Sequence, residues 1–207
     1  MMHGVRQNGL MLLFALTFAL LGGTQHTHAG PDDDLQAGID AFNRGDLITA
    51  IASYRQAAEA GVADAQVRLA YILDYSEDNE EAAKWYRAAA EQGNADGQFG
   101  LGEMYAIGEG VEQNFATAFE YIEMAAASGH LRAIRVLAKA YEDGGLGLGA
   151  DPALAGQWWI RGAEIGDRDA TRRVIAAYES GSLGLPANPE RAAYWQSRLA
   201  TEITNDE

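Results

Sequence analysis

Three regularities predict an all-α protein, a right-handed α-solenoid of about five helix-turn-helix repeats. Gly61, Gly93, Gly129 and Gly166 recur at intervals of 32, 36 and 37 residues, each behind an alanine-rich segment. Two columns in register hold only alanine: Ala50, Ala82, Ala118, Ala155 and Ala192, then Ala58, Ala90, Ala126, Ala163 and Ala200. Three residues after the first column come Trp85, Tyr121, Trp158 and Trp195, with Ser53 in the opening copy. A fixed pattern at this period marks stacked units, each of which buries its apolar face only against its neighbours.

The second half of each repeat reads as one helix. The alanine, the aromatic, the next slot (Tyr54, Tyr86, Ile122, Trp159, Gln196) and a closing pair of small residues fall at offsets 0, 3, 4, 7 and 8. On a helix of 3.6 residues per turn these form one stripe. The all-alanine columns imply that helix backbones approach closely there. The aromatic stripe is therefore read as core packing, not as a cofactor site.

The first half is helical as well. Ala65, Gly97, Ala133 and Ala170 stand four residues past each glycine, followed at offset 4 by Leu69, Leu101, Leu137 and Val174, and at offset 8 by Leu73, Tyr105, Tyr141 and Tyr178. The glycine between the two helices fits a C-cap, where the backbone turns left-handed. Inside three repeats a second glycine-rich connector appears, at residues 108–111, 144–149 and 181–184. Its recurrence at one place in the repeat favours a turn, and no Gly-Lys-Ser/Thr follows that would cradle phosphate. Asp151-Pro152 and Asn188-Pro189 are helix starts, and residues 76–80 replace the loop in the shortest copy. The repeats span about 35–61, 65–93, 97–129, 133–166 and 170–203, with a polar tail at 204–207.

Ahead of the array, Arg6, an apolar run from Leu10 to Leu21 and the sequence Thr27-His28-Ala29 have the order of a secretory signal. The run is shorter than the roughly 20 residues of a spanning helix. Residues 1–29 are therefore expected to be removed after Ala29, which places the protein in the periplasm or outside the cell with no stable membrane anchor. An uncleaved anchor is the alternative. Asp32, Asp33 and Asp34, within an acidic segment 30–34, are expected to precede the first helix and to favour its N-terminus.

Composition narrows the function. The 207 residues are 48% hydrophobic and 22% charged, as in soluble globular proteins. No cysteine is present, which excludes disulfides, a thiol nucleophile and thiolate metal sites. The formal net charge of −15 disfavours nucleic acid as a partner. Loss of the leader would leave His130 as the only histidine, too few for a multi-histidine metal site. No Ser-x-x-Lys, His-Glu-x-x-His or Gly-x-Ser-x-Gly occurs. His130 follows Gly129 and reads as a surface turn residue. No catalytic residue, metal or cofactor is expected.

The run Gly97-x3-Leu101-Gly102-x2-Tyr105-x2-Gly108-x-Gly110-Val111, with Ala118 and Ala125-Ala126-x2-Gly129 behind it, resembles the Sel1-like repeat. The copies from Ala133 and Ala170 resemble it with altered loops, and that from Ala65 lacks the Gly-x-Gly-Val loop. The first copy resembles a tetratricopeptide repeat more closely, through Gly45-Asp46-Leu47, Ala50, Tyr54 and Ala57.

The resemblance implies a non-enzymatic protein-binding module whose first helices line a concave groove. It suggests roles in envelope signalling or exopolysaccharide assembly. The alternatives are a self-assembling scaffold and a cell-wall-acting enzyme; partner identity and oligomeric state stay open. Carried over by alignment, the groove residues are Val67, Tyr71, Tyr75, Phe99, Ile107, Arg132, Arg135, Lys139 and Arg172. Leu35, Ile39 and Phe42 are either groove or interior. The groove is thus expected to be apolar at one end and basic at the other, fitting a protein segment with an apolar anchor and an acidic stretch.

Overall fold

The computed structural model describes residues 30–204. The expected leader, residues 1–29, and residues 205–207 of the tail lie outside the described residues. Among the described residues the chain forms ten helices and no strand. These are α1 (Pro31–Asn43), α2 (Leu47–Glu59), α3 (Ala63–Tyr75), α4 (Asn79–Glu91), α5 (Ala95–Ile107), α6 (Phe115–Ala127), α7 (Leu131–Asp143), α8 (Pro152–Glu164), α9 (Arg168–Ser180) and α10 (Pro189–Thr204). Each helix packs on the one before it and the one after it, and α3 also touches α5 across the repeat boundary. The architecture is the all-α solenoid of five helix pairs that the sequence pattern predicts.

The helices from α1 to α9 are each 13 residues long, or about 20 Å. Their ends are set by side chains that occupy free backbone groups. Asp46, Asn94, Asn114 and Asp151 accept N–H bonds in the first turns of α2, α5, α6 and α8. Between repeats, the chain closes with Gly61, Gly93, Gly129 and Gly166 at φ of 80–93°. In the first such turn Gly61 N–H bonds Ala58 O and Val62 N–H bonds Ala57 O, the paired bonding of a left-handed helix stop. Gly108, Gly144 and Gly181 are left-handed at the ends of α5, α7 and α9, the turn role expected of those connectors.

One expectation is corrected at the start of the array. Asp32, Asp33 and Asp34 do not precede the first helix but form its first turn, behind Pro31. Proline at the first helical position loses no hydrogen bond, and the Gly30 N–H donates to Asp33 Oδ2 at 2.9 Å. The helix therefore starts one turn earlier than its apolar residues suggest.

The core runs the length of the array as three successive clusters, the first from α1 to α5, the second across α5 to α8 and the third from α7 to α10. The first alanine column is buried throughout. The second is buried from Ala58 to Ala163, whereas Ala200 on α10 is exposed, with no described helix beyond it. The aromatic stripe is shallower than expected. Trp195 is buried, but Trp85, Tyr121 and Trp158 are half-buried, and the following slot (Tyr54, Tyr86, Ile122, Trp159) goes deepest.

Candidate functional site

The first helices α1, α3, α5 and α7 enclose a cleft of about 420 Å³ on one face of the array. Its floor is aromatic. Tyr54 and Tyr86 rise from the second helices α2 and α4 and are buried, and both line the cleft. Tyr86 reaches it because the facing residue on α5 is Gly100, where a Cβ would lie 2.6 Å from the Tyr86 ring. Burial pushes the Tyr86 hydroxyl far above its ordinary range, and the charges of Asp74 and Glu103 push it further. Phe42 and Tyr71 stand on the rim, 40% and 57% exposed.

The side towards α7 is a stack of three groups. The His130 ring lies on Phe99 with centroids 4.5 Å apart, and the Arg132 guanidinium sits 4.7 Å from the Phe99 centroid. Arg132 donates through Nη2 to Glu103 at 3.2 Å. Burial pushes the Glu103 carboxyl up, against the pull of Arg132. His130 caps α7, its Nδ1 accepting from Ala133 N–H at 3.1 Å, while Nε2 faces Asp96 Oδ1 at 3.0 Å. Nδ1 is thus the acceptor, and the ring proton resides on Nε2. Burial lowers the His130 pKa, although Asp96 opposes the shift. One repeat earlier Asn94 plays the same part, accepting from Gly97 N–H and donating to Asp64 Oδ1 at 2.9 Å. Cap and carboxylate thus clip successive first helices together.

Four of the nine residues carried over by alignment, Val67, Tyr71, Phe99 and Arg132, line this cleft. Phe99 is only 3% exposed and acts as wall rather than anchor. Tyr75 and Ile107 lie outside the cleft, at matching positions at the ends of α3 and α5, and are 86% and 61% exposed. Leu35 and Ile39 pack against the first core cluster.

The basic half of the expected groove is corrected. Arg135 grips the buried carboxylate of Asp167 through Nε and Nη2 and also meets Asp169 at 3.5 Å. Lys139 pairs with Asp143 at 2.8 Å and Arg172 with Asp169 at 2.8 Å. Burial pushes the Asp167 carboxyl up, but Arg135 and the N–H groups of Ala170 and Asp169 outweigh it and hold the group below its ordinary value. Each of these cations thus has a carboxylate partner, and none of the three lines the cleft, although all remain partly exposed.

Sequence reasoning missed His130, Asp64, Asp96 and Arg68 as cleft residues. Their signal was the repeat register: Asp64 and Asp96 share one position on α3 and α5, as do the caps Asn94 and His130 on α5 and α7. Among the described residues no three His, Asp or Glu side chains are placed to hold a metal ion, and no helix is long and apolar enough to cross a membrane.

A concave cleft on a stack of alanine-seamed helix pairs defines the class, an α-solenoid of helix-turn-helix repeats. The Sel1 repeat matches residues 63–94, 95–130, 131–167 and 176–201, and the chain belongs to the Sel1 repeat family. Proteins built from this repeat are generally non-catalytic protein–protein interaction modules.

Among solved structures, a Sel1 repeat protein from Oxalobacter formigenes superposes with a TM-score of 0.75 at 27% identity, over 84% of this chain and 52% of that one. A protective antigen of uropathogenic Escherichia coli strains, with an SLR fold, gives 0.66 at 27% identity, over 84% of this chain and 39% of that one. A sel1 repeat protein from Klebsiella pneumoniae gives 0.55 at 18% identity, over 84% and 88%, a likeness of fold alone. The chain thus spans about half the length of the Oxalobacter protein. No curated protein matches the sequence.

Proposed function

We propose that this chain is an exported, non-enzymatic interaction module that takes a segment of a partner protein into the cleft between α1, α3, α5 and α7. The observation that carries the reading is the exposed rim of Phe42 and Tyr71 above a floor of buried tyrosines. Large side chains at a water-filled concavity are the anchors on which a binding segment gains most. Export rests on the leader pattern; α1 begins at Pro31, two residues beyond the expected cut after Ala29. The setting proposed is the bacterial envelope, in signalling or exopolysaccharide assembly, as the family resemblance suggests.

The test is site-specific photocrosslinking in cells. A photoreactive residue at Tyr71 is expected to capture one discrete partner, and one at Tyr194, exposed on α10, is not. Capture from Tyr194 alone would move the site off the cleft, and adducts only with further copies of this chain would favour a self-assembling scaffold. Export is checked by intact mass, expected to begin at Gly30; a retained leader in the membrane pellet would overturn it.

A further inference from the structure

On the far side of the cleft, charge is balanced. Arg135, Lys139, Arg172 and Arg173 each have a carboxylate partner on α7 or in the α9 segment. At the ends of α3 and α5 it is not. The side chains of Asp74, in the last turn of α3, and Glu109, two residues past α5, make no hydrogen bond or ion pair among the described residues. The two helices touch; burial pushes the Asp74 carboxyl up, and the charge of Glu109 adds to it. The last turns of α3 and α5 contain no basic residue. Beside these carboxylates stand the exposed Tyr71, Tyr75 and Ile107.

We propose, resting on the cleft reading above, that the bound segment is cationic: an aliphatic or aromatic anchor with a lysine or arginine two or three residues away. The anchor meets Phe42, Val67 and Tyr71; the positive side chain meets Asp74 and Glu109. The spacing follows from the helix. Asp74 lies seven residues after Val67, about 10 Å along α3, and an extended chain covers that in about three residues. The two cations of the cleft do not cancel this. Arg132 is engaged by Glu103 and Phe99, and Arg68 precedes Asp74 by six residues, about 9 Å along the same helix. The face of α3 therefore runs from positive at Arg68, in the cleft, to negative at Asp74, just beyond it, which gives the segment a direction as well as a charge.

The test is selection of a random decapeptide phage library on the purified chain. Enriched peptides are expected to carry Lys or Arg two or three residues from Trp, Phe, Leu or Ile. Their synthetic copies should bind an Asp74→Asn, Glu109→Gln double variant about fivefold to tenfold more weakly, and bind the wild type more weakly as salt rises. Peptides that need Tyr71, by loss of binding to Tyr71→Ala, yet lack the cation or bind the double variant equally well would overturn the charge assignment and leave the cleft standing. Peptides indifferent to Tyr71→Ala would overturn both. A library that yields no enrichment would overturn the proposal too.

Discussion

The His130 ring can cap α7 and face Asp96 in this geometry only while neutral, because a proton on Nδ1 would oppose the Ala133 N–H it accepts. Its pKa is lowered on folding, chiefly by burial, so the unfolded chain takes up the proton first. The ring's stabilising part is then complete above the unfolded value near 6.5 and drains away as pH falls through the lower folded value. His130→Asn should be nearly neutral in stability at pH 7.5, since Asn94 performs the same cap and clip one repeat earlier. It should also remove the histidine's share of the stability loss between pH 7 and pH 5. His130→Ala should cost about 1 kcal/mol at pH 7.5. Urea midpoints at the two pH values check both; an unchanged pH slope in the Asn variant would separate the histidine from the effect. The sequence placed His130 in its turn but made it a surface residue. A 3.6-residue period tells which side of a helix faces inward, and it is silent about a cap that folds over the neighbouring helix.

At the scale of the element, helix existence and face were legible because alanine, leucine and glycine recur in register. Helix ends and ion pairs were less so. Arg135, Lys139 and Arg172 stand out in the sequence as a cluster, but their carboxylate partners do not. Arg135 meets Asp167, 32 residues on, while Lys139 finds Asp143 four residues away. The first distance is close to one repeat, so the register itself predicts such neighbours once each helix is laid beside the next. Glu77 is a second case. It follows α3 at φ 65°, at the position where Gly45 follows α1 at φ 78°. A non-glycine residue in that region is strained by about 1–2 kcal/mol, partly offset by the entropy that glycine loses on folding. Glu77→Gly is therefore expected to stabilise the chain by about 0.5–1 kcal/mol, read as a rise in the urea midpoint with unchanged slope. A lower midpoint would mean that Glu77 makes a compensating interaction.

For the whole molecule, three successive core clusters mean that damage stays near its origin, as expected where repeats touch only their neighbours. Ala126 is fully buried in the middle cluster, with Ala133, Ile134 and Leu137. Ala126→Phe should cost about 1–3 kcal/mol by overpacking. Hydrogen exchange should quicken first in α5 to α8, with α1 and α2 protected for longest. Equal loss along the whole array would show one cooperative unit instead. The fold was legible at this scale because every repeat restates it. The cleft was legible in Val67, Tyr71, Phe99 and Arg132 but not in its charged partners, because a period marks which face a cation occupies and not which carboxylate, on its own helix or the next, it meets.

The connectors divide into two kinds. Those between repeats are three residues each, 60–62, 92–94, 128–130 and 165–167, while those inside repeats grow from three residues at 44–46 to eight at 144–151. All the spare length therefore collects along one edge, where Gly149 is exposed and has no atom within 4 Å of the place a side chain would fill. That edge is a natural attachment point: an epitope or fluorescent reporter spliced in at Gly149 would ride on the array without altering its pitch, leaving the recognition face free for measurement.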